Sequence, residues 1–123
     1  MERIDTAELH RRMKEQGVSA REHIAFKCPI CSTVQSMASL LRAGVPAERV
    51  ENYIGFSCEG RFTGAGPHKP GSDTRGCDWT LGGLFSLHTL EVMLPDGKAQ
   101  PSFALATPDE AKELEAQSAA VAA

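Results

Sequence analysis

Four cysteines are the residues of this sequence best placed to do chemistry: Cys28, Cys31, Cys58 and Cys77. Cys28-Pro29-Ile30-Cys31 has the C-x-x-C spacing, which lets two thiolates approach one metal ion from a single tight turn. The amides of such a turn can donate to the sulfurs and spread their charge. Cys58 follows after 26 intervening residues and Cys77 after 18 more, so the second pair is not a C-x-x-C knuckle. It meets only if two extended segments bring it together, with the Gly- and Pro-rich stretch between them as the connection. Four thiolates close a tetrahedral zinc site with no open position for water, so the expected cofactor is a structural Zn2+ held by all four cysteines. Such an ion makes the fold possible, at roughly 10–16 kcal/mol of apparent binding free energy near neutral pH.

Other uses of these thiols stay open at this stage. A three-cysteine site can be completed by His68, His23 or His88. A redox pair is a further option, because Cys28-Pro29-Ile30-Cys31 precedes a helical pattern that lowers thiolate pKa. No βαβ pattern surrounds it, however, and Cys58 and Cys77 then have no role. Disulfides suit secreted chains, and Met1-Glu2-Arg3-Ile4-Asp5 carries acids and lacks the apolar run of a secretory signal. The expected location is the cytoplasm. His10 lies among charged neighbours on a helix, and His23 and His88 lie in apolar strand-like contexts. His68 lies in the Gly/Pro loop, where it is either an exposed loop residue or a binding group.

The elements that must position the cysteines read as follows. Asp5 with Glu8 fits a capping box and Gly17 a stop, giving an N-terminal helix within residues 1–20. Residues 22–27 read as a short strand feeding Cys28, and residues 33–43 as a second helix with Val34, Met37, Ala38, Leu40 and Leu41 at helical spacing. Pro46 suits the start of a short third helix, with Val50 and Tyr53 or Ile54 inward. Residues 53–58 read as extended into Cys58. Gly60 to Gly76 reads as one long loop, a length that is usually functional or mobile. Thr80-Leu81 and Leu84 to Leu94 are strand-like. Asp96-Gly97 is a turn, and residues 98–105 return as the partner strand, with Pro101 demanding an edge position. Thr107-Pro108-Asp109-Glu110 caps a C-terminal helix whose alanine-rich end frays. The expected fold is α+β: one zinc-ribbon-like domain over 1–123, with a zinc core at 22–106, a C-terminal β-hairpin and helices at both ends.

A chain of 123 residues suits one domain, and its 41% hydrophobic and 24% charged residues are those of a globular protein. No apolar run is long enough for a membrane span. The formal charge of −3 is uneven: residues 1–49 carry 8 basic and 6 acidic side chains, residues 50–98 carry 4 and 6, and residues 99–123 carry 1 and 4. Four thiolates and a divalent ion would take the total to about −5. The densest basic cluster, Arg11-Arg12-Met13-Lys14, is flanked by Glu8 and Glu15 and reads as a solvated helix face. Arg61, Phe62, His68, Lys69, Arg75 and Trp79 form one basic and aromatic cluster around the loop, the candidate partner-binding residues. Such a mixture can contact phosphates and stack bases, although Trp79 beside Cys77 also suits a core residue covering the metal. Glu59, Asp73 and Asp78 stand in the same region, and a pI near 5.8 opposes phosphate binding.

Several motifs taken together resemble a known family: Phe26-Lys27-Cys28-Pro29-Ile30-Cys31; Tyr53-Ile54-Gly55-Phe56-Ser57-Cys58 with Gly60-Arg61; and Gly76-Cys77-Asp78-Trp79-Thr80-Leu81-Gly82-Gly83-Leu84-Phe85, His88 and Leu90-Glu91-Val92. Over residues 24–106 the chain is similar to an uncharacterised family of small four-cysteine proteins encoded by phages, prophages and plasmids of Gram-negative bacteria. Ser32 stands where zinc knuckles usually carry Gly, which affects the turn and removes no ligand. The family carries no assigned reaction. The resemblance implies a cytoplasmic accessory protein in an infected or prophage-bearing cell. No nucleophile with an activating base is evident, and four cysteines deny zinc an open position, so no enzyme activity is expected. The expectation is binding to a host protein, with inhibition of a defence complex (anti-CRISPR-like) or of transcription as the natural outcomes. The alternative is a zinc ribbon that binds nucleic acid.

Overall fold

In the computed structural model, residues 2–69, 75–81 and 89–122 are described. Asp5 sets the first boundary. Its carboxylate accepts from the Glu8 amide at 2.8 Å and caps helix α1 (Thr6–Glu15), and Gly17 takes φ 68 just beyond the helix end. The expected helix therefore begins only at Thr6, because residues before the cap are taken by a strand, β1 (Glu2–Asp5). On the outer face of α1, Arg12 pairs with Glu2 and Glu8, and Arg11 with Glu8 and Glu15, so the basic cluster is a laced, solvated surface.

Two three-stranded sheets follow. In the first, β1 runs parallel to β4 (Leu90–Met93), which pairs antiparallel with β5 (Ala99–Ser102). Ile4, Leu90 and Val92 point inward and bury together with Leu9 and Leu94 beside them. The Asp96-Gly97 turn joins β4 to β5 with Gly97 at φ 86, and the proline-bearing β5 lies on the edge. Leu84 to His88, expected to lead into this strand, lie outside the described residues.

The second sheet has the order β3-β2-β6, built from β2 (Ala25–Lys27), β3 (Val34–Ser36) and β6 (Ala104–Leu105). A 3-10 turn at Arg21–His23 precedes β2, so the strand is shorter than the 22–27 expected. β2 and β3 are a hairpin, and the C-x-x-C segment is its turn. The helix expected over 33–43 is thereby divided. Val34–Ser36 pair with β2, and only Met37–Arg42 form helix α2. Ser36 makes the switch: its hydroxyl accepts from the Ser39 amide at 3.2 Å, and its own amide donates to the Ser39 hydroxyl at 2.8 Å. Helical periodicity in the sequence yields here to ladder pairing and a buried cap.

After α3 (Val50–Tyr53) the chain turns through residues 54–56 rather than running extended into Cys58, because the Phe56 and Ser57 amides both fold back onto the Tyr53 carbonyl. Extended pairing is confined to a short contact in which Ser57 bridges Thr80. The loop expected from Gly60 opens with a helical turn, α4 (Gly60–Thr63), ended by Gly64 at φ 73. Helix α5 (Pro108–Ala122) starts at the predicted box, with Thr107 and Glu110 exchanging hydrogen bonds of 3.0 and 3.2 Å. It packs Ala111 and Leu114 on Ala25 and Ala106 of the second sheet.

Candidate metal centre

The C-x-x-C turn presents its sulfurs because its backbone is tied off behind them. The Cys28 amide donates to the Thr33 carbonyl at 3.0 Å, and the Ser32 amide to the Cys28 carbonyl at 2.9 Å. Ser32 takes φ 62, the only non-glycine residue with positive φ among those described. The sequence departure at this position is thus a real conformational cost. The second pair is placed by a different device. Phe56 to Cys58 lies against Trp79 to Leu81 through Cys58 N–H to Trp79 carbonyl at 3.1 Å and Leu81 N–H to Phe56 carbonyl at 2.9 Å. Beyond this, Gly60 and Gly76 touch backbone to backbone. A Cβ on Gly60 would lie 2.3 Å from the Cys77 nitrogen, and one on Gly76 would lie 2.7 Å from the Gly60 Cα. Only two glycines permit that approach.

The four sulfurs converge. All lie within 4.8 Å of one another, with Cys28 to Cys77 at 3.8 Å and Cys31 to Cys58 at 3.7 Å. A tetrahedral ion bonded to sulfur at about 2.3 Å separates its ligands by about 3.8 Å. A disulfide would need about 2.05 Å. The described residues contribute no histidine or carboxylate to this group, so the donor set is four sulfurs, which suits zinc or iron. Cys28, Cys58 and Cys77 are fully buried in the main core with Phe26, Leu81 and Phe103, so the centre and the core are one structure.

Electrostatics point the same way. Hydrogen bonding from the Cys28 thiol, helped by the Gly60 and Cys77 amides, pulls Cys58 down to about 5 against its burial. Cys28 is pushed well above the ordinary thiol range by that same bond and by burial. Burial first, then the Cys58 charge, pushes Cys77 up to about 12. As bare thiols the group supports one thiolate; a divalent ion at its centre lets all four ionise.

Three polar residues brace the centre: Gln35 and Thr33, which the sequence did not single out, and Glu59, which it named only as an acid near the loop. Gln35 is fully buried; its amide nitrogen donates to the Ile54 and Ser57 carbonyls at 2.8 and 2.9 Å, and its oxygen accepts from the Glu59 amide at 2.8 Å. Thr33 places its hydroxyl 3.1 Å from the Cys31 sulfur and accepts from the Gly76 amide at 2.9 Å. Glu59 is buried, which raises its carboxyl above the usual range against the opposing guanidinium of Arg75, its ion-pair partner.

The expected partner-binding cluster divides in two. Arg61 donates to the Asp78 carbonyl at 2.7 Å, and Arg75 to Glu59 and the Val34 carbonyl. Phe62 packs on Tyr53 with ring centroids 5.0 Å apart, and Trp79 stacks on Phe103 at 5.6 Å and joins the cysteine core. His68 and Lys69 are exposed. His23 sets its Nε2 3.6 Å from Glu22 and 3.8 Å from Glu115, outside the sulfur group; His10 is exposed, and His88 lies outside the described residues. No described helix is long and apolar enough to cross a membrane.

No curated protein and no solved structure matches the chain. One family model does match, over residues 5–106, from the cap of α1 to the end of β6 and across all four cysteines. The chain belongs to the VVA0879-like family.

Proposed function

We propose that this is a zinc-stabilised recognition module without a reaction of its own, which binds a host protein in the cytoplasm of a bacterium carrying a phage, prophage or plasmid. The observation that carries the zinc reading is the group of four sulfurs, three of them fully buried, that lie within 4.8 Å of one another, two pairs of them at 3.7 and 3.8 Å. Four thiolates around one ion leave no position for a substrate or a nucleophilic water, so the ion's role is structural. Cys28, Cys31, Cys58 and Cys77 would hold it, and its binding energy is folding energy.

The protein-binding reading is supported by what the side chains around the loop already do. Phe62 and Trp79 pack inside the domain, and Arg61 and Arg75, exposed like His68 and Lys69, are held by the Asp78 carbonyl and by Glu59 and the Val34 carbonyl. Two exposed positions of α5, Asp109 and Glu113, add negative surface, and Leu41 and Phe56 add exposed apolar surface. An acidic module with apolar contacts suits the basic, nucleic-acid-binding groove of a host defence complex, which it would block by charge mimicry. The test is affinity capture of the tagged chain from bacterial lysate with and without nuclease. A protein partner kept after nuclease and lost when Asp109 and Glu113 are changed to Lys supports the reading. Recovery of nucleic acid alone overturns it in favour of a nucleic-acid-binding ribbon.

A further inference from the structure

We infer that Cys31 is where hydroperoxides enter the metal centre, and that it closes a disulfide with Cys58 that expels the ion. The inference rests on the zinc reading above. Three of the four cysteines are fully buried; Cys31 is partly exposed. It lines a cleft of 340 Å³ between the C-x-x-C turn and α5, walled by Ser32, Thr33, Arg75, Glu110 and Gln117. A peroxide is small enough to enter such a cleft, and the Arg75 guanidinium on its wall suits the hydroxide that departs. Behind the Cys31 sulfur lies Cys58 at 3.7 Å, whereas Cys28, its neighbour in the C-x-x-C motif, makes its close sulfur contact with Cys77 at 3.8 Å. Cys31 and Cys58, 3.7 Å apart, come from the two different halves of the site.

The chemistry balances with one peroxide. The Cys31 thiolate attacks a peroxide oxygen; the S–O bond forms, the O–O bond breaks and hydroxide leaves. The Cys58 thiolate then attacks the Cys31 sulfur; the S–S bond forms, the S–O bond breaks and a second hydroxide leaves. Two sulfurs give up two electrons in total, and the peroxide accepts them. The sulfurs close from 3.7 Å to about 2.05 Å, and Cys28 and Cys77 alone do not retain the ion. Thr33 lines the way in: its oxygen accepts from the Cys31 thiol at 3.1 Å and from the Gly76 amide at 2.9 Å.

The test uses the full zinc-loaded chain, hydrogen peroxide as the probe and a chromogenic chelator to follow zinc release, then tryptic mapping without reduction. One zinc should leave per peroxide consumed. The main cross-link should join peptide 28–42 to peptide 50–61 through Cys31 and Cys58. A Cys28–Cys31 bridge within peptide 28–42, or a main product containing Cys77, overturns the inference while leaving the zinc reading intact. Protein that contains no zinc before peroxide is added overturns the zinc reading itself.

Discussion

Replacing Gly60 with alanine gives opposite results depending on why the position lacks a side chain. Gly60 begins α4, and by helix propensity alone alanine would stabilise it by about 1 kcal/mol. The close approach to Gly76 and Cys77 predicts the reverse. The new Cβ would lie 2.3 Å from the Cys77 nitrogen, 2.6 Å from its oxygen and 2.7 Å from the Gly76 carbonyl carbon, all backbone atoms with no rotamer to yield. Restoring ordinary contact at 3.4 Å needs a shift of about 1.1 Å. Metal–sulfur distances tolerate about 0.2 Å, so the shift cannot be absorbed with both Cys58 and Cys77 on one ion. Overpacking of this kind costs about 1–3 kcal/mol by itself, and the disturbed ligand adds to it. We expect a net loss of about 3 kcal/mol or more, a fall in melting temperature of about 12 °C for a chain of this size, and weaker zinc retention against a chelator. Trp79 is the only tryptophan, stands two residues from Cys77 and stacks on Phe103, so its fluorescence reports the melt at the site. Gly64→Ala is the control: φ is +73 and a Cβ meets nothing within 4 Å, so it should cost only the about 1–2 kcal/mol of a left-handed residue and leave zinc affinity unchanged. A Gly60→Ala chain that melts at or above the wild type with full zinc affinity would refute the reasoning.

Other perturbations follow from the same geometry. Ser32→Gly should raise stability by about 1 kcal/mol, because Ser32 holds φ 62; an unchanged or lower melting temperature would show that the turn is not strained there. Gln35→Leu should cost about 3 kcal/mol or more, since the Glu59 amide and the Ile54 and Ser57 carbonyls lose buried partners together; denaturant titration of the zinc-loaded protein checks it. Glu110 is held below the usual carboxylate range by the Lys27 ammonium at 2.8 Å, and further by the Thr107 amide. Its folded pKa is depressed, so the pair stabilises the fold above the ordinary value of 4.5 and that contribution is lost as pH falls through the depressed one. The melting-temperature gap between wild type and Lys27→Met should therefore be largest above pH 4.5 and shrink on acidification; a gap that widens in acid would contradict the assignment.

Much of the frame was legible from local chemistry. Asp5, Thr107 and Asp96-Gly97 act through neighbours within four residues, and their caps and turn lie where the sequence places them. Pro101 removes a donor, which confines β5 to an edge whatever the fold. The four cysteines were legible because few other arrangements use that spacing with two further thiols. What was not legible depends on distant partners. β1 has a single buried residue, Ile4, and owes its strand form to β4, across most of the chain. β3 carries a helical pattern that pairing with β2 overrides. Gln35 and Gln16 are buried polar side chains that satisfy carbonyls of other segments, Gln16 reaching both Ala25 and Ala106, and no periodicity announces them. Gly60 and Gly76 read as loop glycines until the close contact between them is seen.

We propose that four thiolates, three of them fully buried, hold one zinc and that the fold depends on it. The most direct measurement is elemental analysis of protein purified without added metal, coupled to a thermal melt before and after removal of that metal by a strong chelator. We expect about one zinc per chain and loss of the cooperative melt on chelation, with the same loss in a Cys77→Ser chain. Metal-free protein that melts cooperatively, or a Cys77→Ser chain that keeps both its zinc and its melt, would contradict it.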